Sequence, residues 1–236
     1  MNPVTAAGVA AITVVSITSH EAAHGFVADR LGDPTARERG RLTLNPLAHI
    51  DWFFTILLPL FLILSGSHFI FGGAKPVPVD VSRLRHPRRD WALVGAAGPA
   101  MNVLIAIGLA AIFAVAKLMG DAGPSSSLAE ILTVGIFLNA LLAVFNLIPI
   151  PPLDGSRVVQ YFLSGAALEV YRRLDRFGIL ILVALMFFFP QLQVQLTKAV
   201  LGFAYLIATP FGVATDVMAV VGRLMFPSPS SADRIP

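Results

Sequence analysis

Six apolar stretches separated by short polar segments dominate the pattern of the chain. They cover residues 4–31, 52–71, 91–119, 128–150, 177–190 and 199–226. Because roughly 20 helical residues are needed to cross the hydrocarbon core of a bilayer, the first, third, fourth and sixth stretches are long enough to span it. The fifth is short and would need the amphipathic residues 166–176 to complete a crossing. The pattern predicts an all-α polytopic membrane protein with about five transmembrane helices.

The second apolar stretch is predicted to be short or re-entrant. Pro59 lies inside it, and Ser65-Gly66-Ser67 interrupts its far end; such a bent backbone is tolerated at membrane depth where protein covers it. Lys and Arg residues concentrate in the loops on both sides of this stretch, whereas residues 120–127 contain none. The first two loops are therefore expected on the cytoplasmic side and the third outside. The second stretch would then enter and leave on one side, with a plain spanning helix as the alternative.

Three polar segments carry further predictions. Residues 37–51 include the alternating Arg41-Leu42-Thr43-Leu44 and end near Asn45-Pro46, which predicts a small β-hairpin. The loop at 75–90 opens with Lys75-Pro76-Val77-Pro78-Val79, which predicts an extended surface strap. Residues 227–236 are rich in Ser and Pro and are expected to form a disordered tail.

Composition agrees with a lipid environment. Of the 236 residues, 56% are hydrophobic and 13% are charged, about half the charged fraction of a typical soluble domain. The chain contains no cysteine, which excludes disulfides and thiolate metal sites. The net charge is only +3, and the clustering of basic residues in loops is typical of membrane orientation rather than of nucleic-acid binding.

The first apolar stretch contains the strongest chemical motif, His20-Glu21-Ala22-Ala23-His24. On a helix, positions i and i+4 share one face, so the two imidazoles can bind one zinc ion while Glu21 reaches a water beside it. The alternative is an ordinary pair of core or surface histidines. Ionisable groups at membrane depth are costly and usually functional, which favours the metal site.

A catalytic zinc site needs a third protein ligand, and Asp154 is the best candidate. It follows a run that contains Pro149, Pro151 and Pro152, which is expected to break the helix. Gly155 is expected to permit the turn that aims the carboxylate. The alternative is a helix-capping Asp at the membrane surface.

Three motifs in this order resemble the site-2 protease family of intramembrane metalloproteases. They are His20-Glu21-Ala22-Ala23-His24, Gly98-Pro99-Ala100-Met101-Asn102, and Asn146 with the following Pro-Pro-Leu-Asp154-Gly155. Residues 40–51 and 71–79 resemble the small prokaryotic branch that lacks PDZ and CBS domains. The resemblance covers about residues 15–160, and it departs at Trp52-Phe53-Phe54-Thr55, where relatives often carry Pro and Gly.

The resemblance implies an intramembrane zinc endopeptidase that cleaves transmembrane protein substrates in a cell membrane. His20, His24 and Asp154 would hold one zinc ion per chain, and Glu21 would be the general base. Asn146 and Asn102 could contact substrate or the oxyanion, or could serve as helix–helix contacts or caps. Gly98 would allow close packing or a kink. Residues 1–226 would form one protease domain.

The position of the three ligands also bears on topology. His20, His24 and Asp154 can meet only if the first and fourth stretches run parallel, so one intervening stretch cannot span, and the active site would lie nearer the cytoplasmic side. A non-enzymatic zinc scaffold and a metal transporter are the competing functions. The intact Glu21 disfavours a scaffold, and the lack of acidic or His residues in the apolar centres of the third and fourth stretches disfavours transport.

Overall fold

The computed structural model describes residues 2–52, 57, 60, 61, 64, 65, 74–123 and 125–225. The described α-helices are α1 (Pro3–Arg30), α2 (Thr35–Glu38), α3 (Pro87–Leu118), α4 (Ser127–Asn146), α5 (Asp154–Phe162), α6 (Gly165–Arg173), α7 (Gly178–Phe188), α8 (Pro190–Ala208) and α9 (Ala214–Met225). Short 3-10 turns cover Pro46–His49, Val81–Arg83, Leu174–Phe177 and Thr209–Phe211.

Four helical segments in the described part are long and apolar enough to cross a membrane. They are Pro3–Arg30, Pro87–Leu118, Ser127–Asn146 and Pro190–Phe211. The first three confirm helices predicted from the first, third and fourth apolar stretches. The chain is therefore a multi-pass, predominantly helical membrane protein.

Local chemistry sets the start of the first helix. Asn2 Oδ1 accepts a hydrogen bond from Thr5 N–H at 2.8 Å, as expected of an N-cap residue. Pro3 occupies the first helical position, where its missing N–H costs nothing. Helix α1 then continues for 28 residues, long enough to carry the HExxH motif well inside the apolar stretch.

The last two predicted crossings differ from the structure. Helix α7 has 11 residues, about 17 Å of helix, and is not among the candidate spans. The sixth stretch is not one helix, since α8 ends near Pro210 and Gly212 takes a left-handed conformation with φ 69°. A proline cannot continue the helical hydrogen bonds and a left-handed glycine ends them. The candidate span therefore ends at Phe211, and it begins earlier than predicted, at Pro190.

The predicted β-hairpin is wrong for the segment that was expected to form it. Residues 41–45 form no strand, because local side-chain hydrogen bonds take up the backbone. Asn45 N donates to Thr43 Oγ1, and Asn45 Oδ1 accepts from Leu47 N, both at 3.1 Å. Asn45 thereby caps the 3-10 turn Pro46–His49, an outcome that competes with a strand ladder.

Two sequence predictions fall on residues outside the described part of the chain. Most of the second apolar stretch does, so its re-entrant or spanning character stays a prediction. The same holds for the disordered tail at 227–236.

The chain divides into two compact units. One contains Met1–Thr13, Val103–Leu141 and Val194–Pro236, and the other contains Val14–Asn102 and Leu142–Gln193. In the first, the fully buried Phe113 and Ile136 contribute to an apolar core. The second holds every residue of the site described next.

Candidate metal centre

Helix α1 presents both motif histidines on one face. His20 and His24 are four residues apart, and their ring centroids lie 4.8 Å apart in an edge-to-face arrangement. Their exposed fractions are 7% and 4%. Neither imidazole is therefore a surface group.

Asp154 reaches the same place from the segment between α4 and α5. It is the first residue of α5 and is 5% exposed. The expected reason for Gly155 needs correction, since Gly155 is not among the glycines with positive φ. A methyl group added there would lie 2.5 Å from the Leu147 carbonyl carbon and 2.7 Å from Ile148 O. Gly155 thus permits close packing of α5 against the backbone after α4, which carries Asp154 inward.

The three side chains meet in a compact, buried group that could hold a metal ion. His20 Nε2 lies 3.1 Å from His24 Nε2. Asp154 Oδ2 lies 3.1 Å from His20 Nε2 and 3.2 Å from His24 Nε2. Tetrahedral zinc with bonds of about 2.0–2.2 Å separates its ligand atoms by roughly 3.3 Å, so the spacing suits that ion.

Helix α3 fixes the orientation of both rings. His20 Nδ1 lies 2.6 Å from Asn102 Oδ1, and His24 Nδ1 donates to Val94 O at 2.6 Å. A carbonyl oxygen only accepts, so Nδ1 carries the proton and Nε2 of a neutral ring presents a lone pair. Such hydrogen bonds from the second ring nitrogen are the usual support of metal-binding histidines.

The donor set fits zinc on its own chemistry. Two Nε2 atoms and a carboxylate oxygen face one another at close range, an arrangement that a bound cation stabilises. Gly98 keeps the adjacent space free, since a methyl group there would lie 2.5 Å from His20 Nε2 and would also overlap His24 Nε2. Two imidazoles and one carboxylate are a ligand set typical of catalytic zinc.

Arg157 supports Asp154, a contact that sequence reasoning missed. Its Nη1 lies 3.1 Å from Asp154 Oδ1, which leaves Oδ2 for the metal position. Its guanidinium lies 4.6 Å from the centre of the Trp91 ring. The close approach of Gly95 to Asp154 O and the Arg157 side chain completes this packing. The i, i+3 spacing from Asp154 was the only sequence signal for it.

The other predicted site residues, Glu21, Asn102 and Asn146, each contact a different partner. Glu21 is partly buried, and its Oε2 accepts from Val77 N–H at 3.0 Å. Asn102 contacts His20. Asn146 Nδ2 donates to Leu142 O on its own helix at 2.9 Å. A role for Asn102 or Asn146 toward substrate stays a prediction.

Comparison with known proteins identifies the family. The family model described as Peptidase family M50 matches residues 8–189. YwhC of Bacillus subtilis (strain 168), named as a predicted zinc metalloprotease, is 37% identical over 179 residues, which cover 73% of this chain and 76% of YwhC.

Two mycobacterial proteins called Rip2 carry the same kind of name. That of Mycolicibacterium smegmatis is 31% identical over 173 residues, covering 73% of this chain and 64% of Rip2. That of Mycobacterium tuberculosis H37Rv is 30% identical over 193 residues, covering 78% and 70%. No solved structure gives a significant match. A family match over most of the chain and zinc metalloprotease relatives together show that this chain belongs to peptidase family M50, the site-2 protease family.

Proposed function

We propose that this protein is an intramembrane zinc endopeptidase that hydrolyses peptide bonds in or near transmembrane segments of other membrane proteins. His20, His24 and Asp154 hold one zinc ion per chain, and Glu21 is the general base. The protein acts in the cell membrane, with its active site towards the cytoplasmic side.

One observation carries the proposal: two imidazole nitrogens and a carboxylate oxygen lie 3.1–3.2 Å apart in a buried group, and the helix that supplies both imidazoles also carries Glu21. A purely structural zinc site needs no such base and is usually closed by four protein ligands. Three ligands leave a position for water or substrate. In the HExxH motif the glutamate after the first histidine serves that position, and we assign this role to Glu21.

The zinc ion and the side chains would have separate roles in peptide hydrolysis. Bound zinc acts as a Lewis acid towards a peptide carbonyl and makes a nearby water easier to deprotonate. Glu21 accepts the proton from that water and returns it to the leaving amine. Asn102 and the Val94 carbonyl keep both imidazoles in the ligating orientation, and Arg157 holds Asp154.

The nature of the substrate follows from the membrane setting. A transmembrane helix shields its peptide bonds by internal hydrogen bonds and must unwind locally before hydrolysis. The arginines of the loop after α1 support a cytoplasmic position of the site, since such loops face the cytoplasm. The C-terminal end of α1, which carries His20 and His24, leads into that loop.

The test is Glu21→Gln in purified protein and in cells. The substitution keeps the size of the side chain but removes its basicity, so zinc content should stay at one per chain while turnover falls at least about 100-fold. Zinc is measured by elemental analysis. Turnover is measured with fluorescently labelled casein as an unstructured probe, and full-length membrane proteins that accumulate in cells are identified by mass spectrometry.

Glu169→Gln is the matched control, because Glu169 is an exposed residue of α6 paired with Arg173. It should retain both zinc and turnover. Hydrolysis of casein by Glu21→Gln at the wild-type rate would rule out the proposed role of Glu21. Absence of stoichiometric zinc from the wild-type protein would rule out the metal site.

A further inference from the structure

Residues 74–80, here called the strap, form an extended segment that is anchored near both ends. Lys75 N–H donates to His49 O at 2.8 Å. Asp80 N–H donates to Asp33 Oδ2 at 2.7 Å, and Asp33 is fully buried. These backbone donors and Arg41, whose Nη2 donates to Lys75 O at 2.8 Å, hold the strap in place without a sheet.

The middle of the strap sits on the face of α1 that carries Glu21. Val77 N–H donates to Glu21 Oε2 at 3.0 Å. The Val77 side chain is 8% exposed and contacts α1 at Gly25, where an added methyl group would lie 2.9 Å from Val77 Cγ1. Glu21 and Gly25 are one helical turn apart and share a face. Val77 thus contacts two α1 residues, Glu21 through its backbone and Gly25 through its side chain.

The prolines of the strap limit the hydrogen bonds that it can form with other segments. In an extended segment, backbone N–H groups point alternately to opposite sides, and Val77 N–H points to α1. The opposite side belongs to Pro76 and Pro78, which have no N–H. An incoming substrate strand would find no donors there, so the strap is a poor template for strand addition. Its donor is directed at Glu21 alone.

We propose that the strap is a positioning element for the reaction and that Val77 is its positioning residue. The Val77 N–H holds Oε2 of Glu21 and so orients the carboxylate, which leaves Oε1 to exchange a proton with water. This inference rests on the proposed role of Glu21 as general base. The competing view is that the strap only braces α1 and the polar loops.

Kinetics of two variants separate the two views. Val77→Pro removes the N–H, whereas Val79→Pro places a proline elsewhere in the strap, where the described part of the chain gives the backbone N–H no partner. Hydrogen bonds to charged groups are among the stronger ones. Val77→Pro should therefore lower kcat on labelled casein by about tenfold or more, with KM within about twofold and zinc retained.

Val79→Pro should keep kcat within about threefold of wild type, since it retains the Val77 N–H. The inference is overturned if Val77→Pro and Val79→Pro lose turnover equally. It is also overturned if the loss in Val77→Pro comes from lost zinc or from a change in KM alone.

A second measurement reports the contact without using activity. Because the chain has no cysteine, Lys75→Cys gives a single site for a nitroxide spin label on an exposed strap residue. The label should become more mobile when Glu21→Ala removes the acceptor and should stay as in wild type with Glu21→Gln, whose amide oxygen still accepts. Unchanged label mobility in Glu21→Ala would show that Glu21 does not hold the strap.

The two measurements also separate this inference from the proposed function. If Glu21→Gln cleaves casein as wild type does, the general-base role fails, whereas the spin-label result still states whether Glu21 binds the strap. If Glu21→Gln is inactive and Val77→Pro is fully active, the proposed function stands and the strap has no positioning role.

Discussion

At the residue scale, Gly98 matters because of the side chain it lacks. It lies on α3 next to both Nε2 atoms, and any side chain there would occupy the space next to the metal position. The sequence predicts that this residue allows close packing or a kink of α3, and the close approach of both imidazoles agrees with close packing. We propose that the same lack of a side chain leaves room for the ion.

Gly98→Ala should therefore lower zinc affinity by at least about 100-fold while the protein still folds, because the new methyl group displaces the two imidazoles. The measurement is competition for zinc against a chelator of known affinity. Circular dichroism of the same samples reports whether the helices are retained.

Gly108→Ala on the same helix is the matched control, since an added methyl group there meets nothing within 4 Å. It should bind zinc as wild type does and should be at least as stable, because alanine favours helix over glycine by roughly 1 kcal/mol. Wild-type zinc affinity in Gly98→Ala would show that the ion lies elsewhere.

The candidate ligands could be predicted from the sequence, but their supports could not. His20 and His24 follow from a spacing that one helix fixes. Asp154 was found through its prolines and its resemblance to a motif. Val94 acts through its backbone carbonyl, which no side-chain pattern can indicate, and Arg157 is one arginine among many. These contacts depend on how α3 and α5 pack, which is a tertiary property.

At the scale of elements, α6 and α7 hold the segment that delivers Asp154. Tyr171 of α6 donates to Pro149 O at 2.8 Å. Gly178, the first residue of α7, packs so closely on Pro151 that an added methyl group would lie 2.5 Å from its carbonyl carbon. Two helices outside the HExxH segment thus set the path of residues 147–154, here called the ligand loop.

Gly178→Ala should lower the free energy of unfolding by about 1–3 kcal/mol, as overpacking usually does, and should weaken zinc binding. The backbone of Pro151 must shift to accept the methyl group, and Asp154 lies three residues further on. Thermal unfolding in detergent and zinc competition are the measurements.

Gly202→Ala in α8 is the comparison variant, because nothing lies within 4 Å of an added methyl group there. It should leave both quantities unchanged. If Gly178→Ala loses stability but keeps full zinc affinity, α7 supports the fold without influencing the ligand loop.

Elements were predicted well where apolar length alone defines them and poorly where local polar chemistry decides. Helices α1, α3 and α4 follow from long apolar runs. The hairpin failed because Thr43 and Asn45 bind nearby backbone groups. The apolar composition of the sixth stretch predicts one helix through Pro210 and Gly212, although those two residues end the helix.

At the scale of the whole molecule, the expected orientation can be tested directly. The chain has no cysteine, so Arg39→Cys and Gly123→Cys each introduce one thiol at an exposed position. The positive-inside rule places Arg39 in the cytoplasm and Gly123 outside. A membrane-impermeant maleimide should label Gly123→Cys in intact cells, and should label Arg39→Cys only after the membrane is opened. The reverse pattern would place the site on the outer face.

The crowded lone pairs of His20, His24 and Asp154 have a consequence for the life of the protein in the cell. If these side chains bind zinc as proposed, the ion binds the folded chain and not the unfolded one, so ion capture and tertiary folding are thermodynamically linked. Growth under zinc starvation should then lower the amount of the protein through quality-control degradation, and not only its activity. The zinc supply of the cell would therefore limit the number of molecules of this protein in the membrane.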